Sequence, residues 1–211
     1  MAGRSTTLLE VANLSLSLLG EDPITDISTP DTEAGEKLIR WFYQSIDEVQ
    51  SEYLWRELMT HSANIAADST NHWDDRKRYA LPTDCLRPLG FRLTDSSSAL
   101  NPLVRQLAGY ETLKYDIVGD FLISEIDNNV DIIYLQRNDT PTTWSPELER
   151  CVAYNAAIKA GQNITSDVNI VKNLIVYFQT RVEPRARRLQ AKYKTNQKFL
   201  PENYTYINLA Y

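Results

Sequence analysis

The sequence predicts a mainly α fold: a four-helix bundle with an inserted small antiparallel β module and an extended C-terminal tail. Three observations carry this. Apolar residues recur at helical spacing in two stretches near the ends, residues 7–55 and 145–182. Between them, from Tyr79 onward, short β-like runs are punctuated by Pro82, Pro88, Gly90, Pro102, Gly109 and Gly119. The last stretch, FLPENYTYINLAY, has no helical period and places Phe199, Tyr204, Tyr206 and Tyr211 where only a partner surface would cover them. The expected boundaries are 5–56 with 145–196 for the helical bundle, 78–137 for the β-rich module, and 197–211 for the tail.

A first helix can start at Thr7, with Glu10 three residues on, so that hydroxyl and carboxylate satisfy each other's backbone donors; it runs to Gly20. Leu8, Val11, Ala12, Leu18 and Leu19 form its apolar side, with serines between. After the connector EDPITDIST, Thr29 as N-cap and Pro30 at the first helical position predict a long second helix. Its stripe is Ala34, Leu38, Trp41, Phe42, Val49 and Tyr53, which reads as core packing before it reads as a ligand box.

Residues 60 to 77 are polar and mixed and predict no strand. In YDIVGDFLISEIDNNVDIIYL, Gly119-Asp120 and Asn128-Asn129 separate runs of two or three meander strands. Ser145 and Pro146 open a third helix that ends near Gly161. A fourth begins at Thr165 or Ser166 and carries Val168, Val171, Leu174, Ile175, Phe178 and Val182. Pro184 interrupts it, so residues 185–196 form a kinked continuation or a separate helix.

Charge is unevenly spread. Residues 181–198 carry seven Lys/Arg against Glu183 alone, a net +6, on a chain whose total is −6. The remaining body is strongly acidic and repels phosphate, so DNA that meets it is expected to slide rather than stick. Arg185, Arg187, Arg188, Lys192 and Lys194 could touch phosphates, pair with an acidic protein surface, or form a solvated helix face. No window approaches about 18 uninterrupted apolar residues, so no transmembrane span is expected. Glu10, Asn13 and the serines argue against a signal peptide.

A search for chemistry predicts no enzyme and no cofactor. No Gly-rich phosphate loop, GxSxG or HExxH is present. His61 and His72 are the only histidines, and His72-Trp73-Asp74-Asp75 has poor metal-ligand geometry, so no metal is expected. Paired carboxylates for glycoside hydrolysis are possible only by chance among so many acids. Cys85 and Cys151 read as reduced, buried thiols.

Three segments in order carry a resemblance. LSLLGEDPITDISTPDTEAGEKLIRWFYQSIDEVQSEYLW, closing at Trp55, resembles the opening of the podovirus tail tubular protein A family, the head-to-tail adaptor or gatekeeper proteins. RYALPTDCLRPLGF resembles that family's Y-x-LP-x-D-C-x-R strand. DIIYLQRNDTPTTWSPELERCVAYNAAIKAGQNITSD resembles its entry into the later helices. The similarity spans roughly residues 5–195.

The resemblance implies a structural bacteriophage protein of the virion tail, at the head-tail junction, assembled in the host cytoplasm. It would form a ring, typically a dodecamer, that docks beneath the portal protein and receives the tail nozzle, a tail tubular protein B-like partner. Tail fibres are further implied partners. DNA would thread its channel on ejection without sequence-specific contact. Residues 181–211 are expected to face the portal, with Arg185, Arg187, Arg188, Lys192, Lys194, Phe199, Tyr204, Tyr206 and Tyr211 as docking residues. The β module would face the nozzle. Competing readings are a DNA-binding packaging accessory protein and a tail-associated cell-wall hydrolase.

Overall fold

The structure, a computed structural model, describes residues 7–70, 72–93, 115–125, 127 and 129–195. The chain divides into two compact units. One comprises Met1–Met59 with Gln136–Lys194; the other contains Thr60–Leu135.

In the helical unit, α1 (Leu8–Leu19) opens on the Thr7–Glu10 capping box: Glu10 N–H donates to Thr7 Oγ1 at 3.2 Å, and Thr7 N–H donates to Glu10 Oε2 at 3.1 Å. It closes at Gly20, whose φ of +79° is a left-handed conformation that favours glycine. The serine hydroxyls fold back onto their own helix, Ser15 donating to the Val11 carbonyl at 3.0 Å, which is how Ser15 is fully buried without an orphaned hydroxyl.

Helix α2 (Glu33–Glu52) starts later than its sequence predicts. Thr32, not Thr29, is the N-cap and accepts from Gly35 N–H at 3.0 Å. Thr29 is committed elsewhere, its hydroxyl donating to Asp26 Oδ2 at 2.9 Å while Ser28 N–H donates to Asp26 Oδ1 at 2.8 Å. Asp26 therefore makes a local turn of the connector, a competing use of the hydroxyl that capping rules do not see. Gly35 is where Ile24 of the connector presses against the helix; a Cβ there would collide with the Ile24 side chain.

Helix α3 (Pro146–Ile164) is the centre of the unit and packs against α1, α2 and α4. It buries Ala153, Ala156, Ala157, Ala160 and Gly161, small residues that let its neighbours approach on several sides. Its N-terminus is the one its sequence predicts, with Pro146 in the first turn and Ser145 Oγ accepting from Leu148 N–H at 3.2 Å. Helix α4 (Val168–Tyr177) is short, capped by Asp167, and buries only Val171 and Leu174. It leads without a break into a π-helical turn (Phe178–Val182) and then α5 (Glu183–Thr195).

That turn is the answer to Pro184. Proline has no N–H to give the Thr180 carbonyl, and the chain widens just before it, Glu183 N–H donating five residues back to Phe178. Pro184 then sits in the first turn of α5, where no donor is required. Val182 and Ala186 remain buried across the join.

Among the described residues the second unit is built from six strands, the first starting and the last ending one residue inside the helical unit: β1 (Met59–Ile65), β2 (Lys77–Ala80), β3 (Cys85–Leu93), β4 (Tyr115–Val118), β5 (Phe121–Ser124) and β6 (Val130–Gln136). They form two three-stranded sheets, in the orders β1-β6-β3 and β2-β5-β4. In the second, β5 pairs antiparallel with both neighbours: Tyr79 and Ile117 both face Leu122 in register. Gly119, at φ +57°, turns β4 into β5. Tyr79 and Leu122 from this sheet pack with Val130, Ile132 and Tyr134 of the other, so the two sheets share one core.

The fold class is therefore mixed α/β, not a mainly α four-helix bundle with a small β insert. The expectation fails in two places. The polar stretch 60–77, read as loop, supplies β1 and the start of β2, because a strand needs only alternate apolar positions and β1 is half-exposed. The last long helix is divided by the π turn into α4 and α5, and α3 serves as a central helix, so four equivalent helices do not exist. The expected tail, 197–211, lies outside the described residues, as do Asn128 and residues 94–114 between β3 and β4, with the turn markers Pro102 and Gly109.

Candidate functional site

A groove of about 710 Å³ opens on the helical unit, lined from four helices. Leu14 and Leu18 of α1, Tyr154 of α3, Tyr177 of α4 and Leu189 of α5 give it an apolar lining. Arg150, Arg181, Arg185 and Arg188 surround that lining, with Glu147 as the one carboxylate among the lining residues. All four arginines are exposed.

The local folding explains the arrangement. Tyr154 stacks on Tyr177 with ring centroids 5.6 Å apart and on Phe178 at 6.5 Å, so an aromatic stack braces α3 against the π turn. Arg181, Arg185 and Arg188 follow at helical spacing from that turn. Glu147, Arg150 and Tyr154 share one face of α3. Burial, followed by the neighbouring Tyr177, raises the Tyr154 phenol above its ordinary value, with Arg150 opposing. The phenol is therefore a neutral hydrogen-bonding group at physiological pH.

The electrostatics are lopsided. Arg185 Nε lies 3.5 Å from Glu147 Oε1, an ion pair whose arginine side is 62% exposed and therefore weak. Among the described residues Arg150, Arg181 and Arg188 form no ion pair. Positive charge thus concentrates along a groove of mixed apolar and polar lining on a chain of net charge −6. Such a groove is suited to binding an aromatic or aliphatic anchor flanked by carboxylates or phosphates. None of the residues lining it pairs a nucleophile with a base.

The sequence-derived docking residues separate. Arg185 and Arg188 line the groove. Arg187 points elsewhere: its guanidinium lies 2.6 Å from Glu183 and 5.4 Å from the centre of the Tyr53 ring. Lys192 and Lys194 are on α5, and their side chains, with Phe199, Tyr204, Tyr206 and Tyr211, lie outside the described residues. Sequence reasoning missed Glu147, Arg150, Tyr154 and Tyr177. The spacing of Glu147, Arg150 and Tyr154 at one helical face was visible, but nothing in the sequence alone brings that face beside α5.

The thiols and histidines fall outside the groove. Burial, followed by nearby carboxylates, pushes the Cys151 thiol up to about 12, and burial followed by Asp84 pushes Cys85 up to about 11. Neither is an activated nucleophile. His61 is exposed on β1. His72 Nδ1 is 2.7 Å from Asp74 Oδ1 in a tight turn of the β unit. Among the described residues no three His, Cys, Asp or Glu side chains cluster to hold a metal ion, and no helix is long and apolar enough to cross a membrane. No protein-family model matches the chain, and no curated protein matches it.

Proposed function

We propose that this chain is the structural head-to-tail adaptor of a short-tailed bacteriophage, a ring component between portal and tail nozzle that does no chemistry. The observation that carries the reading is the arginine-rimmed groove on one compact unit of a chain whose second compact unit is built separately from two sheets. An adaptor between two rings needs distinct surfaces for distinct partners, and two units supply them. The segment order described above, from the LGEDPI connector to the ITSD break, supports the same reading and runs through both units. The acidic body suits a channel that DNA crosses without adhering.

In this reading α5 and the residues beyond it dock on the portal through Arg187, Lys192, Lys194 and the aromatic residues 199–211. The test is co-sedimentation with portal rings of the same phage. The full chain is compared with one shortened after Lys198, and with K192A/K194A; truncation further back would remove the buried Ala186. Saturable binding that the shortened chain loses, and that becomes less salt-sensitive in the lysine variant, is the expected result. No binding by the full chain refutes portal docking.

The density of arginines around the groove also favours a second reading, a packaging protein that grips DNA. A mobility shift whose affinity falls steeply with salt, and which R150E/R181E abolishes, would support that reading over the first.

A further inference from the structure

One large apolar side chain stands out from the surface. Trp73 is 87% exposed, the most exposed large hydrophobic side chain among the described residues. Its backbone is held firmly. Asp75 N–H donates to the His72 carbonyl at 2.9 Å, and His72 N–H donates to the Arg76 carbonyl at 2.8 Å, closing a tight turn around Trp73. Asp75 takes a φ of +65° to allow it. The Asp74 carboxylate then accepts from Arg76 N–H, from Arg76 Nε at 2.6 Å, and contacts His72 Nδ1, while Arg76 reaches across to Asp116 on β4. The Trp73 ring leans against His72, centroids 5.3 Å apart.

A rigid turn presenting a bare tryptophan is an anchor that has lost most of its freedom before binding, which is how an interface gains affinity without added area. The surroundings say what it fits. Around the turn Asp68, Asp74, Asp75, Asp116 and Asp127 outnumber Arg76, Lys77 and Arg78, which pair with four of the five, so the charge left over is modestly negative. A complementary receptor is a groove of aromatic size lined by apolar side chains and cations together, and the groove of the helical unit has that character: leucines and tyrosines share its lining with the exposed Arg150 and Arg181. Tryptophan buries up to about 250 Å² in such a seat.

We infer that the Trp73 turn of one copy of this chain inserts into the arginine-rimmed groove of the next copy. The contact joins two different surfaces, so it repeats head to tail and closes into a ring or extends as a filament. This rests on the ring reading above and names the subunit contact that the ring would use. Asp74 acts as a positioning residue that holds the turn, and Trp73 is the anchor.

The experiment is sedimentation velocity of the full chain without portal, over a rising concentration series. The wild type is expected to self-associate, more weakly as salt increases. W73A should reduce the association constant about 30-fold or more, and R150E/R181E should do the same from the other side. All three substituted residues are exposed, so circular dichroism should show unchanged folds. The mixture is decisive: W73A keeps an intact groove and R150E/R181E keeps an intact turn, so together they form a one-to-one complex that neither extends. D74A, with Trp73 retained, should lose part of the association by freeing the turn.

A wild type that stays monomeric throughout overturns the inference, as does association that survives W73A, or a mixture with no complex. Because portal is absent and the lysine and tail residues are intact, these outcomes are independent of the portal co-sedimentation, whose failure would instead remove the adaptor reading.

Discussion

The Gln50 carboxamide clasps the backbone of Asn138 from both sides. Gln50 Nε2 donates to the Asn138 carbonyl at 2.6 Å, and Asn138 N–H donates to Gln50 Oε1 at 3.0 Å. The Trp144 indole donates to the same Asn138 carbonyl at 3.0 Å. A side-chain amide here imitates the partner strand of a peptide, so the chain returning to α3 is fixed to α2 with its polar groups satisfied. Asn13 does the same for the first connector, pairing with both the N–H and the carbonyl of Ile24 at 2.8 and 2.9 Å. Both loops that enclose the helical unit are thus held by one kind of contact.

Gln50 is fully buried, so its loss cannot be repaired by water at low cost. Gln50→Leu should destabilise the chain by about 2–3 kcal/mol, the penalty for a buried donor and acceptor left without one partner. Gln50→Glu should do at least as much at neutral pH, since its carboxylate would face the Asn138 carbonyl with no proton to give. Urea unfolding followed by fluorescence of Trp55 and Trp144, both fully buried, checks it. Wild-type stability in Gln50→Leu would show that the clasp contributes nothing.

Two threonines in the connector separate what capping rules can see from what they cannot. Thr32→Ala should cost about 1 kcal/mol by releasing Gly35 N–H at the start of α2. Thr29→Ala should cost distinctly less, because it removes an exposed hydrogen bond to Asp26 and no helix cap. Thermal melts of the two variants rank them; the reverse order would restore Thr29 as the true start.

The same contrast explains how much was legible beforehand. Thr7, Ser145 and Gly20 were readable because each acts within three or four residues of its own position, where propensity and local hydrogen bonding decide. Thr29 failed because Asp26 competed for it. β1 was unreadable because half its side chains face outward and its pairing with β6 is set by residues some seventy positions away. The groove was illegible for a related reason: its arginines come from α3, the π turn and α5, and only packing around Tyr154 gathers them. Trp73 lies in a His72-Trp73-Asp74 spacing that makes a poor metal site, and its exposure is a property that sequence does not report.

Gly161 is buried where α1, α3 and α4 meet. A Cβ there would lie 2.9 Å from Val171 Cγ2 and 3.1 Å from Leu19 Cδ2. Gly161→Ala gains up to about 1 kcal/mol of helix propensity, but overpacking costs about 1–3 kcal/mol, so the net effect should be destabilising by about 1 kcal/mol. Adding Val171→Ala removes the nearest clash. The double variant should therefore be more stable than the sum of the two single effects predicts, as a double-mutant cycle by urea unfolding would show; strict additivity would place the crowding elsewhere.

Stability should fall in alkali, and Cys151 should account for part of the slope. The thiol ionises near 9 when free and is pushed up to about 12 in the fold, by burial first and then by the charges of Glu183, Glu147 and Glu52. Between those values the unfolded chain releases a proton that the folded chain keeps, so the contribution is whole below pH 9 and is lost as pH climbs toward 12. The loss is on the order of 1 kcal/mol per pH unit within that window. Cys85, pushed up to about 11, acts in the same direction. Urea unfolding of wild type and Cys151→Ala at several values from about pH 8 to pH 11 separates the thiol from the tyrosines. Cys151→Ala should be less stable at the acid end because of the cavity, yet show the shallower decline with pH. Native Cys151 should also resist a disulfide reagent at neutral pH and react once the chain is unfolded. Parallel slopes for the two proteins, or rapid labelling of Cys151 in the folded state, would mean that the thiol is not held in its neutral form by the helical core.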